Sequence, residues 1–88
     1  SEALGAGSVG PGVTWLRQSL AAIDDRYLTS SPDSDVFDDE LAARVREFQR
    51  DNRLDVDGLA GHQTQIIINT RLASDDTPRL TMPRLAQE

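Results

Sequence analysis

Chemistry in this 88-residue chain could begin at its one histidine, His62. A single imidazole excludes two-histidine acid/base schemes and histidine-rich metal sites. The absence of cysteine removes a disulfide framework, a thiolate zinc site and a thiol nucleophile. His62, Asp57 and a serine could in principle form a triad, but no Gly-x-Ser-x-Gly string positions the serine. Asp55-Val56-Asp57-Gly58 has the look of a calcium loop. With Gly58 at the sixth place, the first and twelfth ligand places would fall on Arg53 and Thr64, where acidic ligands are needed. The segment therefore reads as a turn whose aspartate bonds backbone amides.

Two clusters of charge remain. Asp33, Asp35, Asp38, Asp39 and Glu40 could hold a cation weakly, but a helix N-cap beside a solvated loop explains them more simply. Paired-carboxylate glycoside chemistry needs a cleft with one raised pKa, and every acidic residue here has a simpler role. No catalysis, metal or cofactor is expected. The second cluster is Arg44, Arg46, Arg50 and Arg53. Arg46, Arg50 and Arg53 are spaced i, i+4, i+7 and share a helix face. Guanidinium forks grip carboxylates bidentately, so a partner carrying several carboxylates would suit that face. Pairing within the helix, with Glu40, Glu47 and Asp51, is the competing explanation.

The overall balance narrows the partners. Nine arginines and no lysine stand against fifteen acidic residues, for a net charge of −6. Duplex nucleic acid and anionic membranes would be repelled. No apolar run approaches the ~20 residues of a transmembrane helix. The chain starts without methionine and without a signal-peptide pattern, and is expected to be a piece of a larger protein. A domain this small buries roughly 60% of its unfolded surface and keeps only ~5 kcal/mol of net stability. Few residues are left for a deep catalytic cleft, which favours a binding or docking module.

Three helices would position these groups. Gly5, Gly7, Gly10, Pro11 and Gly12 cannot form a helix interior, so residues 1–7 are expected as a flexible linker, followed by an ordered lead-in. Val13, Leu16, Leu20 and Ile23 mark one face of a first helix. A polar loop from Asp24 to Val36 follows, long for so small a domain. Asp38 caps a second helix, with Phe37 stapled onto its first turn and Leu41, Val45 and Phe48 on its buried face. A turn with Asp57-Gly58 leads through Gly61 to a third helix buried along Thr64, Ile67, Ile68 and Leu72. Residues 74–88, with Pro78 and Pro83, are expected as an extended tail packed partly through Leu80. The expectation is an all-α, compact three-helix bundle over residues 8–73, with no strand.

The ordered set Val13-x-x-Leu16-x-x-x-Leu20, Phe37-Asp38, Val45-x-x-Phe48-Gln49 and Leu54-x-x-Asp57-Gly58-x-x-Gly61-x-x-Thr64 resembles peptidoglycan-binding domains of the PG_binding_1 type. The lead-in Gly7-Ser8-x-Gly10-x-x-Val13 matches as well, and the resemblance covers about residues 7–72. It implies a three-helix module that attaches a larger protein to the bacterial wall. Val13, Leu16, Leu20, Val45, Phe48 and Ile68 would be core. Gly58 and Gly61 would shape the turn, and Thr64 would fix the start of the third helix. Arg17, where the family often carries glutamine, and the long Asp24–Val36 loop depart from the pattern. With the string Trp15-Leu16-Arg17-Gln18, both features look like the C-terminal periplasmic domain of type II secretion pathway A proteins. That resemblance implies a periplasmic domain of an inner-membrane protein, with secretion proteins as further partners. Matrix metalloprotease prodomains share the fold but carry a cysteine switch, which this chain lacks.

Under the wall-binding reading, the start of the third helix presents unpaired amides suited to a stem-peptide carboxylate. Gln49, Arg50, Asp57, Gly61, His62 and Thr64 are the expected ligand-binding residues. Asp57 would orient the turn or take an amide or ammonium. The rival reading is a protein-docking module that uses the Asp24–Val36 loop and the Pro78–Leu85 tail.

Overall fold

A computed structural model describes residues 3–80, with the backbone alone over 74–80. Three helices carry the chain: α1, Pro11–Ile23, α2, Asp39–Asp51, and α3, His62–Leu80. A 3-10 turn, Asp25–Tyr27, follows α1. The only β-pairing among the described residues is two isolated bridges, Leu4 with Ala60 and Val9 with Val36. The domain is an all-α three-helix bundle.

Each helix starts where its sequence allows. Pro11 is the first residue of α1, where the N–H it lacks would have had no partner. Val13, Leu16 and Leu20 are buried, and Ile23 packs against the same core. α2 opens at Asp38, whose Oδ1 accepts the Leu41 amide at 2.9 Å, with Asp39 and Glu40 complementing the helix dipole. Phe37, Leu41, Val45 and Phe48 fill the centre of the domain. α3 contributes Ile68, fully buried, with Ile67 and Leu72 at the core's edge.

The long loop is fastened along its length. Tyr27 sets its ring edge-on to Phe48, with centroids 5.6 Å apart, and donates its hydroxyl to Asp51 at 2.5 Å. Burial, and then the Asp51 carboxylate, push the Tyr27 phenol up to about 12. Leu28 carbonyl accepts from Arg44 Nε, and Glu40 accepts from both the amide and the hydroxyl of Ser30. Arg17, only 2% exposed, is the central fastening. Its guanidinium donates to Thr29 Oγ1 at 2.6 Å and to the Val36 carbonyl at 2.8 Å, and pairs with Asp38 at 3.0 Å. Its Nε meets no protein acceptor. Arg17 of α1 is therefore the residue that holds the long loop.

Two terminal expectations need correction. Residues 3–7, expected as a flexible linker, are instead bonded by their main chain to the segments that precede α2 and α3. The Leu4 amide reaches the Ala60 carbonyl at 3.1 Å, and the Ala60 amide returns the bond at 2.7 Å. Gly7 and Gly10 donate to Phe37 and Asp35 carbonyls. Glycine content argues against helix but not against main-chain pairing, and Leu4 supplies an apolar anchor packed on the core. At the other end the chain is helical through Leu80, not extended from residue 74. No glycine or proline interrupts His62–Thr77, so a helix once nucleated propagates. Residues 81–88, including Pro83 and Leu85 of the expected tail, lie outside the described residues.

Candidate functional site

The site is built on one buried side chain. Gln49, near the end of α2, is 1% exposed. Its Oε1 accepts the amides of Asp57 and Gly58 at 3.2 and 3.0 Å. Its Nε2 lies within hydrogen-bond distance of Asp57 Oδ1, the Leu59 carbonyl and Thr64 Oγ1, at 2.9, 2.9 and 3.1 Å. One amide thus ties α2 to the 54–59 turn and to the first turn of α3. The turn needs glycine at Gly58, whose φ is +76°. Asp57 Oδ1 also accepts the Leu59 amide at 2.9 Å. That backbone bond, and then the Gln49 amide, hold the Asp57 carboxyl below its usual range.

Between the turn and α3 lies an open depression of about 160 Å³. Asp55 and Asp57 of the turn and Gly61, His62 and Gln63 at the start of α3 line it together. The backbone N–H groups of His62, Gln63 and Thr64 have no acceptor among the described residues. They are the orphan donors of a helix start, with the positive end of the dipole behind them. Residues with amide donors and residues with carboxylates therefore border one small gap. Such a gap complements a ligand that carries both a carboxylate and an amine or amide.

Five of the six residues expected from sequence come together here. Gln49, Asp57, Gly61, His62 and Thr64 all line the depression. Gln49 and Thr64 are buried, and their polar atoms are engaged with each other, so their part is to shape it. His62 is exposed. Arg50 does not line the depression; it is exposed on α2. Sequence reasoning missed Asp55 and Gln63. The signal for Asp55 was the Asp-x-Asp spacing of the turn, and for Gln63 its place in the first turn of α3. Among the described residues no three metal-ligating side chains gather into a possible ion site, and no helix is long and apolar enough to cross a membrane.

The core that holds this corner runs from Val13 on α1 to Ile68, the last buried residue of α3 among those whose side chains are described. The family model described as "Putative peptidoglycan binding domain", PG_binding_1, matches residues 9–68, a span that contains that core. The chain belongs to the peptidoglycan-binding domain family. No curated protein matches the chain. Family membership makes this a wall-binding type of domain, and peptidoglycan lies outside the cytoplasm, so its place is extracytoplasmic.

Proposed function

We propose that the domain binds peptidoglycan without acting on it, and that the depression beside α3 receives the stem peptide. The carrying observation is the juxtaposition of three unpartnered amides with Asp55 and Asp57 at one depression of about 160 Å³. Stem peptides end in carboxylates and carry amines or amides. The carboxylate would sit on the amides of His62, Gln63 and Thr64, and the amine would face the two aspartates. Gln49, Asp57 and Thr64 set the shape, and His62 contributes at the rim. Nothing in this reading requires a nucleophile or a metal.

A site this small gains little per contact, so the single domain would bind weakly and a multivalent parent would add avidity. We extend the reading to anchoring of a larger envelope protein. The type II secretion machinery is the finer form of that proposal. It rests on the Trp15-Leu16-Arg17-Gln18 string and the long loop that Arg17 fastens.

Soluble muropeptides titrated into the isotope-labelled domain test the reading. Amide shifts should concentrate at Gly61–Thr64, and Asp55→Asn with Asp57→Asn should weaken the response to muropeptides that carry a free amine. Shifts confined to another face, or sedimentation with purified sacculi no better than that of a denatured control, would overturn it.

A further inference from the structure

The arginines whose side chains are described divide into two groups. Arg17 pairs with Asp38, Arg26 with Asp51 and Arg44 with Glu47, and Arg71 donates to Asn52. The side chains of Arg46, Arg50 and Arg53 are exposed and have no ion pair or hydrogen bond among the described residues. These three are the set spaced i, i+4, i+7, but only Arg46 and Arg50 share a face of α2, which ends at Asp51; Arg53, with φ +59°, follows its cap rather than continuing that face. The carboxylates that could have neutralised them along α2 are engaged elsewhere. Glu40 accepts from Ser30, Glu47 pairs with Arg44, and Asp51 holds Arg26 and Tyr27.

Charge is therefore segregated along α2. Its N-terminal end carries the acidic residues from Asp33 to Glu40. The unpaired arginines run from Arg46 at mid-helix through Arg50 in the last turn to Arg53 just past the helix end. Arg46 lies six residues beyond Glu40, about 9 Å along the helix, and Arg50 about 15 Å, against a screening length of about 8 Å at physiological salt. The acidic end does not cancel the basic one, although the whole chain is negative. The helix dipole favours cations in the last turn but does not account for Arg46, a turn earlier. Arg46 lies over Gly58: a Cβ there would meet its Nη1 at 3.2 Å. The same 54–59 turn presents Asp55 and Asp57 to the depression. Those two carboxylates line the pocket, while Arg46 and Arg50 belong to α2 and Arg53 follows its cap.

We infer that Arg46, Arg50 and Arg53 form a second contact surface, which takes free carboxylates of neighbouring stem peptides in the same wall. This rests on the wall-binding reading. The depression would take one peptide end, and the arginine face would meet the next peptides along the polymer, so the domain has a preferred side towards the wall. Guanidinium forks suit that role because carboxylates accept them bidentately.

The test uses sacculi stripped of phosphate-bearing polymers, the full chain, and the triple variant Arg46→Gln, Arg50→Gln, Arg53→Gln. The exposed positions leave the fold intact, which circular dichroism verifies. Sedimentation of the triple variant should be about tenfold weaker at low salt, the scale of three exposed ion pairs, and should lose most of its salt dependence. The triple lysine variant should keep the salt dependence. Amidating the sacculus carboxyls should cost the unmodified chain more than it costs the triple glutamine variant. Equal binding and equal salt dependence of the chain and the triple variant would overturn this inference and leave the wall-binding reading standing. Arginine-dependent binding seen only before phosphate polymers are stripped would overturn it too, in favour of phosphate as the partner. Failure of the unmodified chain to sediment with any sacculi would overturn both.

Discussion

The guanidinium of Arg17 lies 3.0 Å from Asp38 Oδ1, the same oxygen that accepts the amide of Leu41 at the start of α2. One carboxylate oxygen therefore joins a buried residue of α1 to the cap of α2. The remaining guanidinium bonds reach Thr29 and Val36, so the long loop is closed over the same point. Asp38 itself is 44% exposed, so losing Arg17 leaves it in water rather than stranded in the core. The cost of Arg17→Met then comes from the loop: the Val36 carbonyl and the Thr29 hydroxyl lose their donor while methionine refills the volume. We expect destabilisation of about 2 kcal/mol, a large part of the stability of so small a domain. Urea unfolding measures it. The effects of Arg17→Met and Asp38→Asn should add to less than their sum, because they share one interaction.

Gln49 governs the site as Arg17 governs the loop. Gln49→Ala leaves the amides of Asp57 and Gly58 without their acceptor, and Gly58 is buried. The expected cost is about 3 kcal/mol, the scale of more than one unsatisfied buried group. Hydrogen exchange at the Gly58 amide should accelerate more than exchange at Leu41, which lies on the other end of α2. Gln49→Glu keeps the acceptor but sets a second carboxylate against Asp57. It should be less stable than the unmodified chain at pH 7, with the deficit shrinking as acid neutralises the pair. A deficit that does not change with pH would refute the charge argument.

Much of this was legible beforehand, and the failures share a cause. Val13, Leu16 and Leu20 repeat at helical spacing, Asp38 is a local cap, and Asp57-Gly58 is a local turn; each signal is contained within a few residues. Arg17 was not legible as buried, because its partners lie twelve to twenty-one positions away and an arginine on a helix is ordinarily solvated. Leu4 pairs with Ala60, at the far end of the domain, so composition could only register the glycines around it. Arg50 was expected beside the start of α3, with Gln49, because the turn joining α2 to α3 is short. Neighbours on an α-helix point about 100° apart, however, and adjacency in sequence is not adjacency on a face. Asp55 and Gln63 gain meaning only once the turn and α3 are folded against each other.

The acid limb of stability should carry the mark of Asp38. The Leu41 amide, and then Arg17, hold its carboxyl below the ordinary 3.8. A carboxylate depressed by folding contributes stability that is fully present above its unfolded value and is lost as pH falls through the folded one. The contribution is therefore complete from about pH 5 upward, declines as pH falls past the unfolded value and is gone only below the lowered folded one. Asp57 is shifted in the same direction and adds to the same limb. Asp38→Asn keeps a capping oxygen but cannot titrate. Its melting temperature should fall less steeply between pH 5 and pH 2 than that of the unmodified chain. Superimposable acid profiles would show that Asp38 is not a source of the acid sensitivity.

Two glycines should respond to alanine with opposite signs. Gly58 has φ +76°, where a side chain meets the left-handed penalty of about 1–2 kcal/mol. The nearest obstacle to its Cβ is Arg46 Nη1 at 3.2 Å, the far end of a flexible side chain that can move aside, so backbone strain sets the cost. Gly12 lies inside α1, is exposed, and would place its Cβ 3.7 Å from the methyls of Leu4, an ordinary contact. Gly12→Ala should therefore stabilise by about 0.5–1 kcal/mol through helix propensity and a stiffer unfolded chain. Thermal melts of the two variants decide the matter. Destabilisation by Gly12→Ala would mean that the Leu4 strap resists being touched, and its packing on α1 would have to be tighter than the distances indicate. Stability unchanged by Gly58→Ala would mean that the 54–59 turn can adopt another backbone path while Gln49 still holds it.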